Sequence, residues 1–516
     1  MEPPNQPPRR APDSSPQPEP PIQAQPKPPS QVSKSSLGRR LDKLLAFQGT
    51  LPSRVSALAF CESFLIGRRV LVLNRLLYAI GNPITDEALE LLLTEDYPNN
   101  PFEVVTVAEK LGLRAIVEAM MRAQLGMPLQ RPFGSPNVLS PWHKILLNPR
   151  QLHQLPTASI KEISTETVIG PTARKPLRLS IPIMITGMSY GGSLSLRLKM
   201  ALAKGSAIVG TSTNTGESGL APETRKLAKY MVGQYNRGHF LRGPEALSQL
   251  DAIEVQCGQG AFGGGVESTV LSAGIDDHLR KTMGLKEGED AVIHSRHPGK
   301  DAPEAIIGLV DDLKAQYDVP VGVKIAASDF IEPDLEVVAR SRADFIVIDG
   351  SEGGTAVAPP TLEDDVGLPT LYGLVRAVDW LNAEGIRERF SVIAAGGLKT
   401  PGDFLKALAL GADAVYIGSI AVLAAIHTQI TEVVPKAAPA QMALYTGRYA
   451  DRLDVDKAAK SLANFFSSCV AEMKLAIQAI GKKSTSELTR DDLVTVDRDL
   501  AEFAGIRYAG SARKLR

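Results

Sequence analysis

SVIAAGG, at Ser391–Gly397, and AVYIGS, at Ala414–Ser419, are near-repeats in which a short apolar run ends in Gly-Gly or Gly-Ser. The segment between them, Leu398–Asp413, carries apolar residues at helical spacing. This pattern predicts a strand, a glycine turn, a helix, a strand and a second glycine turn, which is a βαβ unit. Two such turns side by side direct backbone N–H groups into a pocket that suits a phosphate. A pair of ordinary βα turns is the alternative.

Outward from this unit, further apolar runs alternate with helix-like stretches. The first run, PLRLSIPIMIT, leads directly into GMSYGG. Eight such runs across about 250 residues are typical of a (β/α)8 TIM barrel. A doubly wound open sheet is the competing architecture, but it would carry GxGxxG after its first strand. The predicted strands are 176–186, Ala207–Thr211, Met231–Tyr235, Ala252–Gln256, Pro320–Ala326, Phe345–Asp349, Ser391–Ala395 and Ala414–Ile417.

The predicted barrel, residues 176–450, has additions at both ends. Residues 1–36 are rich in proline and poor in apolar side chains, which predicts a disordered tail. Residues 37–133 show helical periodicity and are interpreted as an N-terminal helical module. An extended approach segment follows at 134–175. Residues 451–516 predict a C-terminal helical extension packed against the barrel wall.

Composition narrows the class of ligand. Lysine plus arginine and aspartate plus glutamate number 57 each, so bulk charge favours neither nucleic acid nor an anionic membrane as partner. Small molecules are therefore the expected ligands. The three cysteines have no disulfide or metal-site spacing, and no apolar stretch reaches the roughly 18 residues of a membrane span. We expect a cytoplasmic protein that forms a homo-oligomer, with no metal site.

Lys324, inside GVKIA, carries the strongest chemical signal. On a barrel strand it should point inward, where an unpaired ammonium is costly. A salt bridge to Asp349 on the next strand is one explanation. The other is a flavin, because a cation beside the N1–C2=O edge stabilises the reduced ring. Ser189 and Gln259 would then bond the ring, and its phosphate would be held by Gly396, Gly397, Gly418 and Ser419.

Three further residues have open alternatives. Glu217, in NTGESG, is either an acid or base near the substrate or an N-cap partner of the next helix. Arg296 lies in the long insertion after the fourth strand, where it would bind a carboxylate or stand exposed in a loop. Cys257 is interpreted as a buried, inert thiol rather than a redox group. The acidic run Glu363–Asp365 is interpreted as a solvated loop.

Several strings resemble one known family. IPIMITGMSYGG, NTGESG, GQGA, VGVKI, FIVIDGSEGGTAVAPP and IAAGGLKTPGDFLKALALGADAVYIGS occur in this order. They are similar to the FMN-binding synthase domain of glutamate synthases, in particular to stand-alone glutamate synthase-like proteins of prokaryotes. The resemblance covers about residues 134–508. It implies a (β/α)8 barrel that holds FMN and reduces an imine formed from 2-oxoglutarate, a step of glutamate biosynthesis.

The resemblance also implies roles for individual residues. Ser189, Lys324 and the glycines at 396, 397 and 418 would contact the flavin, and Glu217 would lie near the reaction centre. We predict Glu217, Lys324 and Gln259 as catalytic and Arg296 and Gln256 as substrate-binding. The predicted cofactor-binding set is Met188, Ser189, Asn214, Gln259, Lys324, Gly350, Ser351, Gly396, Gly397, Gly418 and Ser419.

The chain also departs from the family. The family's iron–sulfur cysteines are missing, because Ser419–Gly447 contains no cysteine. Gln256 and Phe262 stand where the family has lysines that help to bind the dicarboxylate. No glutaminase domain is expected, so a separate electron donor and a separate ammonia source are implied.

Two hypotheses follow. The first is an FMN-dependent oxidoreductase of the glutamate synthase type, acting on CH–NH2 donors. The second is a flavin-binding or degenerate barrel that serves as a binding or assembly partner. Hydroxy-acid oxidases and other phosphate barrels fit less well, since the expected His–Arg pair after the late strands is missing.

Overall fold

The computed structural model describes residues 90–97, 100, 102–355 and 358–512. The predicted tail at 1–36 and most of the predicted helical module lie outside these residues. Contacts divide the chain between Lys110 and Leu111. The first unit contains most of helix α1, Glu103–Leu111, and the second begins with α2, Leu113–Leu125. Among the described helices, none is long and apolar enough to cross a bilayer.

Eight parallel strands form the centre of the second unit. Their hydrogen-bonded order is β1-β8-β7-β6-β5-β4-β3-β2, which curls the sheet into a nearly closed barrel. No ladder joins β1 to β2, but the Thr211 hydroxyl donates to the Ile183 carbonyl at 2.6 Å across this gap. The predicted (β/α)8 fold class is confirmed. The strands are β1 Ile183–Ile185, β2 Ser212–Asn214, β3 Tyr230–Tyr235, β4 Ala252–Gln256, β5 Val321–Ala326, β6 Phe345–Asp349, β7 Ser391–Ala395 and β8 Ala414–Ile417.

The first predicted strand is two separate strands. Leu177–Leu179 pairs antiparallel with Thr167–Ile169, and only Ile183–Ile185 enters the barrel. The turn of this hairpin lies at the amino ends of the barrel strands, because the Gly170 N–H donates to the Ser391 hydroxyl at 3.0 Å. Its apolar side chains pack into the barrel interior. The hairpin therefore closes the end of the barrel opposite the functional loops.

The second predicted strand is wrong over most of its length. Residues 207–209 are the last turn of helix α3, Leu196–Val209. Gly210 ends that helix in the left-handed conformation, with φ 73°, and the strand begins two residues later, at Ser212. The apolar run AIV satisfies a buried helix and a buried strand equally well, so its composition does not distinguish them.

Helices flank most of the strands. The predicted crossover helix between β7 and β8 starts at a capping box of Thr400 and Asp403, with Pro401 in its first turn, and buries Phe404 and Leu408. The remaining helices are α4 Pro222–Leu227, α5 Pro244–Leu247, α6 Asp277–Met283, α7 Pro303–Gln316, α8 Ile331–Ala339, α9 Pro360–Asp365, α10 Thr370–Ala383, α11 Pro401–Ala409, α12 Ser419–Ile426, α13 Ala440–Ala443, α14 Val455–Ala479 and α15 Arg498–Ala504.

The segments on either side of the barrel meet in a small sheet. Ile145–Leu147, from the approach segment, pairs antiparallel with Leu493–Thr495, from the extension. Arg507–Tyr508 adds a third, parallel strand. The long helix α14 packs so closely on α3 that a Cβ at Gly205 would lie 3.0 Å from the Ala459 carbonyl. Chain segments far apart in sequence therefore cover the same flank of the barrel.

One local interpretation is wrong. The acidic run Glu363–Asp365 is not a solvated loop but the last turn of α9. The Glu363 side chain is buried and accepts a bond from Arg131 Nε at 2.9 Å. Burial raises the pKa of Glu363 to about 7, although Arg131 acts to lower it. The acidic run thus holds the chain at Arg131, just before the approach segment, against helix α9.

Candidate functional site

The glycine turns after β7 and β8 lie side by side, as the βαβ pattern predicts. Gly396 and Gly397 have φ of 110° and 67°, a region that residues with a Cβ rarely adopt. Within the described chain, the backbone N–H groups of Gly396, Gly397, Gly418 and Ser419 donate to no other group. Ser419 also begins α12, so the positive end of a helix dipole adds to these donors. The arrangement suits an anion such as a phosphate.

These glycines line a cavity of about 240 Å³, here called the glycine cavity. The ends of β5 and β6 contribute Lys324 and Asp349, and the loop after β4 contributes Gln259. Six of the predicted site residues therefore share one space at the barrel mouth. They are Gln259, Lys324, Gly396, Gly397, Gly418 and Ser419.

Lys324 is buried in this cavity and forms an ion pair with Asp349, with Nζ 2.8 Å from Oδ2. Burial acts to lower the pKa of Lys324, but the charges of Asp349 and Glu254 outweigh it, so the pKa is raised. The lysine is therefore held as an ammonium ion. Both interpretations of Lys324 fit this geometry, because the salt bridge with Asp349 leaves it in the wall of the cavity.

A buried carboxylate, Glu254 on β4, lies inside the barrel and was not predicted. It accepts bonds from Gln234 Nε2 at 2.7 Å and from the Tyr416 hydroxyl at 3.0 Å. Asn214 lies in the same layer, with Nδ2 3.5 Å from Glu254 and from Tyr416. The sequence signal for Glu254 was a glutamate within the otherwise apolar strand pattern AIEVQ. This polar layer places negative charge near Lys324.

A second cavity of about 250 Å³ lies among the loops after β1 and β2 and the insertion between β4 and β5. It is called the glutamate cavity after Glu217 and Glu267, which both line it. Ser189 lines it as well, so this predicted ring-binding residue does not share the glycine cavity with Lys324. The other lining residues are Gln130, Gly192, Ser193, Phe240, Ser268, Thr269, Val270, Met283, Ala291, Ile293 and Thr355.

Arg237, which the sequence reasoning missed, organises the wall of the glutamate cavity. Its side chain is fully buried, and Nη2 lies 3.0 Å from Glu217 Oε1. Nε donates to Gln256 Oε1 at 3.2 Å, and Nη1 donates to the His294 carbonyl at 2.8 Å. One arginine thus joins the loop after β2, the end of β4 and the insertion. Its only signal was a basic residue directly after the weakest strand pattern.

Lys199, on α3, is a second buried cation that was not predicted. Its Nζ donates to the backbone carbonyls of Met188 and Asn214, each at 2.6 Å, and of Thr215 at 3.4 Å. Burial lowers its pKa to about 7. Since the loops after β1 and β2 also carry Ser189 and Glu217, Lys199 holds together the two chain segments that present these side chains.

The remaining predicted residues lie elsewhere. Gly350 packs on Thr370, where a Cβ would lie 2.1 Å from the threonine Oγ1. Ser351 is buried, and its hydroxyl has no partner within the described ranges. Met188 contributes its carbonyl to Lys199. The side chain of Gln256 is buried, and its Nε2 has no partner among the described residues.

The structure does not bring Arg296 to either cavity. It lines a separate groove with Cys257, between α7 and α8, and pairs with Asp301 at 3.3 Å. Both side chains of this pair are 71% exposed. Burial raises the pKa of the Cys257 thiol to about 12, in keeping with an inert cysteine.

The sequence profile described as "Conserved region in glutamate synthase" matches residues 143–483, about two thirds of the chain. The chain belongs to the glutamate synthase family. An archaeal-type glutamate synthase (NADPH) from Thermotoga sp. (strain RQ2) is 33% identical over 357 residues, which cover 68% of this chain and 69% of that protein. A glutamate synthase large subunit-like protein from Rhizobium meliloti (strain 1021) is 30% identical over 441 residues, 80% of this chain and 98% of that protein.

Other matches are partial. An archaeal-type glutamate synthase (NADPH) from Thermotoga neapolitana is 37% identical over 264 residues, and the chain spans only 51% of its length. Among solved structures, an active chimera of (S)-mandelate dehydrogenase aligns over 73% of this chain and 94% of its own, at 14% identity and a TM-score of 0.45. The assignment of the barrel stands on the strand pairings themselves.

Proposed function

We propose that this family member is an FMN-dependent oxidoreductase that acts at a carbon–nitrogen bond. The observation that carries the proposal is the set of backbone N–H groups at Gly396, Gly397, Gly418 and Ser419, which donate to no described residue and lie beside the buried ammonium of Lys324. Backbone N–H groups without partners bind a phosphate, and a nearby ammonium stabilises an electron-accepting ring in its reduced state.

The residues present fit FMN. The glycine turns would hold its phosphate, and Lys324 and Gln259 would meet the polar edge of its ring. Bound FMN would supply two-electron transfer to or from the substrate. Glu217, which pairs with Arg237 and lines the neighbouring cavity, is proposed to accept or return a proton during such a reaction.

The reaction is reductive amination of 2-oxoglutarate, as the family name suggests, or a related reaction of a CH–NH2 compound. Because Ser419–Gly447 has no cysteine to hold a cluster, electrons would come from a separate donor. We also propose a separate ammonia source. Gln256 is proposed to lie near the substrate.

The test is whether the purified protein binds FMN. The purified protein, incubated with FMN and desalted, should retain flavin absorbance, whereas Lys324→Met should lose at least about tenfold in FMN affinity. The double variant Lys324→Met/Asp349→Asn removes both charges of the pair and separates loss of FMN from misfolding. Lys226→Met, at an exposed position on α4, is the matched control and should bind FMN normally. A wild-type protein that retains no FMN would refute the proposal.

The second candidate is a binding or assembly partner without turnover. It is favoured by α2, which buries no residue and exposes Leu113, Val117 and Met120 among its apolar side chains. If flavin is bound and reduced with dithionite, stopped-flow absorbance decides between the two. Reoxidation by substrate would exclude the second candidate, and no reoxidation by any carbonyl or imine compound would favour it.

A further inference from the structure

The charge of the glutamate cavity bears on the class of substrate. Glu217 and Glu267 are its only charged lining residues, and no lysine or arginine of the described chain lines it. The Glu267 side chain is 63% exposed, and His294 Nδ1 lies 4.0 Å from its Oε2. Because Glu217 is paired with Arg237, a ligand that enters this cavity meets one carboxylate, Glu267, that no lysine or arginine of the described chain neutralises.

The neighbouring cations are either bonded to other groups or line other spaces, as Lys399 does in the glycine cavity. Arg237 is sealed from solvent and bonded to Glu217, Gln256 and backbone carbonyls. Lys199 is buried beneath the loops and bonded to their carbonyls. Lys324 is paired in the glycine cavity, and Arg296 lines a different groove. A dicarboxylate would have to be desolvated here without a positive partner, which is strongly unfavourable.

The two positions that carry lysines in the family resemblance do not restore the charge. Gln256 is buried, and its amide oxygen accepts the bond from Arg237 Nε at 3.2 Å. Phe262 is buried in a short 3-10 turn, 3% exposed. Neither side chain can bind a carboxylate as an ammonium group does. Neither residue lines the glutamate cavity, so these two positions add no positive charge to it.

The apolar wall of the cavity is formed by Phe240, Val270, Met283 and Ile293. We infer that the glutamate cavity binds a primary amine as its ammonium ion, with Glu267 facing the charge and the apolar wall receiving a hydrocarbon body. This inference rests on the proposed function for the reaction. Of the two reactions proposed there, it favours that of a CH–NH2 compound over that of 2-oxoglutarate. The binding preference itself does not require turnover.

The test compares ligands of matched shape and opposite charge. Calorimetric titrations of the FMN-loaded protein would use 3-methylbutylamine, 4-methylpentanoate and 2-oxoglutarate. The amine should bind at least about tenfold more tightly than either acid. Equal or tighter binding of an acid, or no binding of the amine, overturns the inference. If the protein takes up FMN but prefers 2-oxoglutarate, the inference fails while the proposed function stands. If it takes up no FMN, the function fails, and the same titrations on the flavin-free protein still decide the binding preference.

Single substitutions test which residues cause the preference for an amine. Glu267→Gln should weaken amine binding about tenfold, and its exposed position makes unfolding an inadequate explanation. Glu287→Gln, an exposed glutamate in the same insertion, is the matched control and should leave binding unchanged. Val270→Lys places a cation in the cavity wall and should reverse the preference toward the acids. Unchanged preference in both Glu267→Gln and Val270→Lys would overturn the inference.

Discussion

The two cavities at the barrel mouth are lined by different kinds of groups. The glycine cavity is formed mainly by backbone, with N–H groups turned inward by glycines whose φ is positive. The glutamate cavity is formed by side chains, and its shape depends on two fully enclosed cations, Arg237 and Lys199. A backbone site tolerates change in surrounding side chains but not a Cβ at its glycines. A side-chain site depends on each buried charge keeping its partners. The predictions below test this difference.

Arg237→Met should have the largest effect on stability. It leaves Glu217 without its partner and three backbone carbonyls without their donor, a loss of about 3–5 kcal/mol in the free energy of unfolding. Urea denaturation would measure it. Glu217→Gln keeps the carbonyl contacts of Arg237 and should cost clearly less. If the two variants are equally stable, Arg237 does not organise the insertion.

Lys199 should give stability a distinctive pH dependence. Its pKa is about 7 in the folded chain and near the ordinary value of 10.5 when unfolded. Between these values the unfolded state binds a proton that the folded state lacks, so the free energy of unfolding rises with pH, by at most ~1.4 kcal/mol per unit. Below pH 7 this contribution is flat. Denaturation of wild type and Lys199→Met from pH 6 to 10 should show the difference between them changing only above pH 7.

Gly396→Ala should damage the glycine cavity while leaving the glutamate cavity intact. The residue has φ 110°, and a Cβ would lie 2.4 Å from Thr370 Oγ1 and 2.7 Å from the Gly350 carbonyl. We expect a loss of about 2 kcal/mol and at least about tenfold weaker FMN binding. Gly385→Ala is the control, because φ is 68° there but no atom lies within 4 Å. It should cost about 1 kcal/mol and leave FMN binding unchanged. Equal FMN affinities in the two variants would contradict the assignment of the phosphate site.

Arg296→Ala should have the smallest effect. Its ion pair with Asp301 is mostly exposed, so its loss should change stability by less than about 0.5 kcal/mol. Amine and FMN affinities, measured by calorimetry, should match those of wild type. A clear loss of affinity for 2-oxoglutarate would instead support the carboxylate-binding role predicted for this residue.

The sequence anticipated what depends on local patterns. The βαβ unit around Gly396 and Gly418, the inward lysine at 324 and six of the strands could be predicted, because apolar period, glycine turns and caps act over a few residues. The second strand was misplaced because the apolar run AIV before Gly210 suits a helix and a strand equally well. In the structure it is the last turn of α3, with Ile208 60% exposed.

By itself, the sequence determined the barrel, the glycine turns and the absence of cluster cysteines after Ser419. The tertiary structure decided the chemistry of the glutamate cavity. Arg237 meets Glu217 and the insertion 57 residues away at His294, and Glu254 meets Tyr416 across the barrel. Such contacts fix which charges are neutralised and which remain free. Electrostatic energy depends on distance in space rather than along the chain, so no local pattern could have shown that the glutamate cavity keeps the Glu267 carboxylate and has no lysine or arginine of the described chain in its lining.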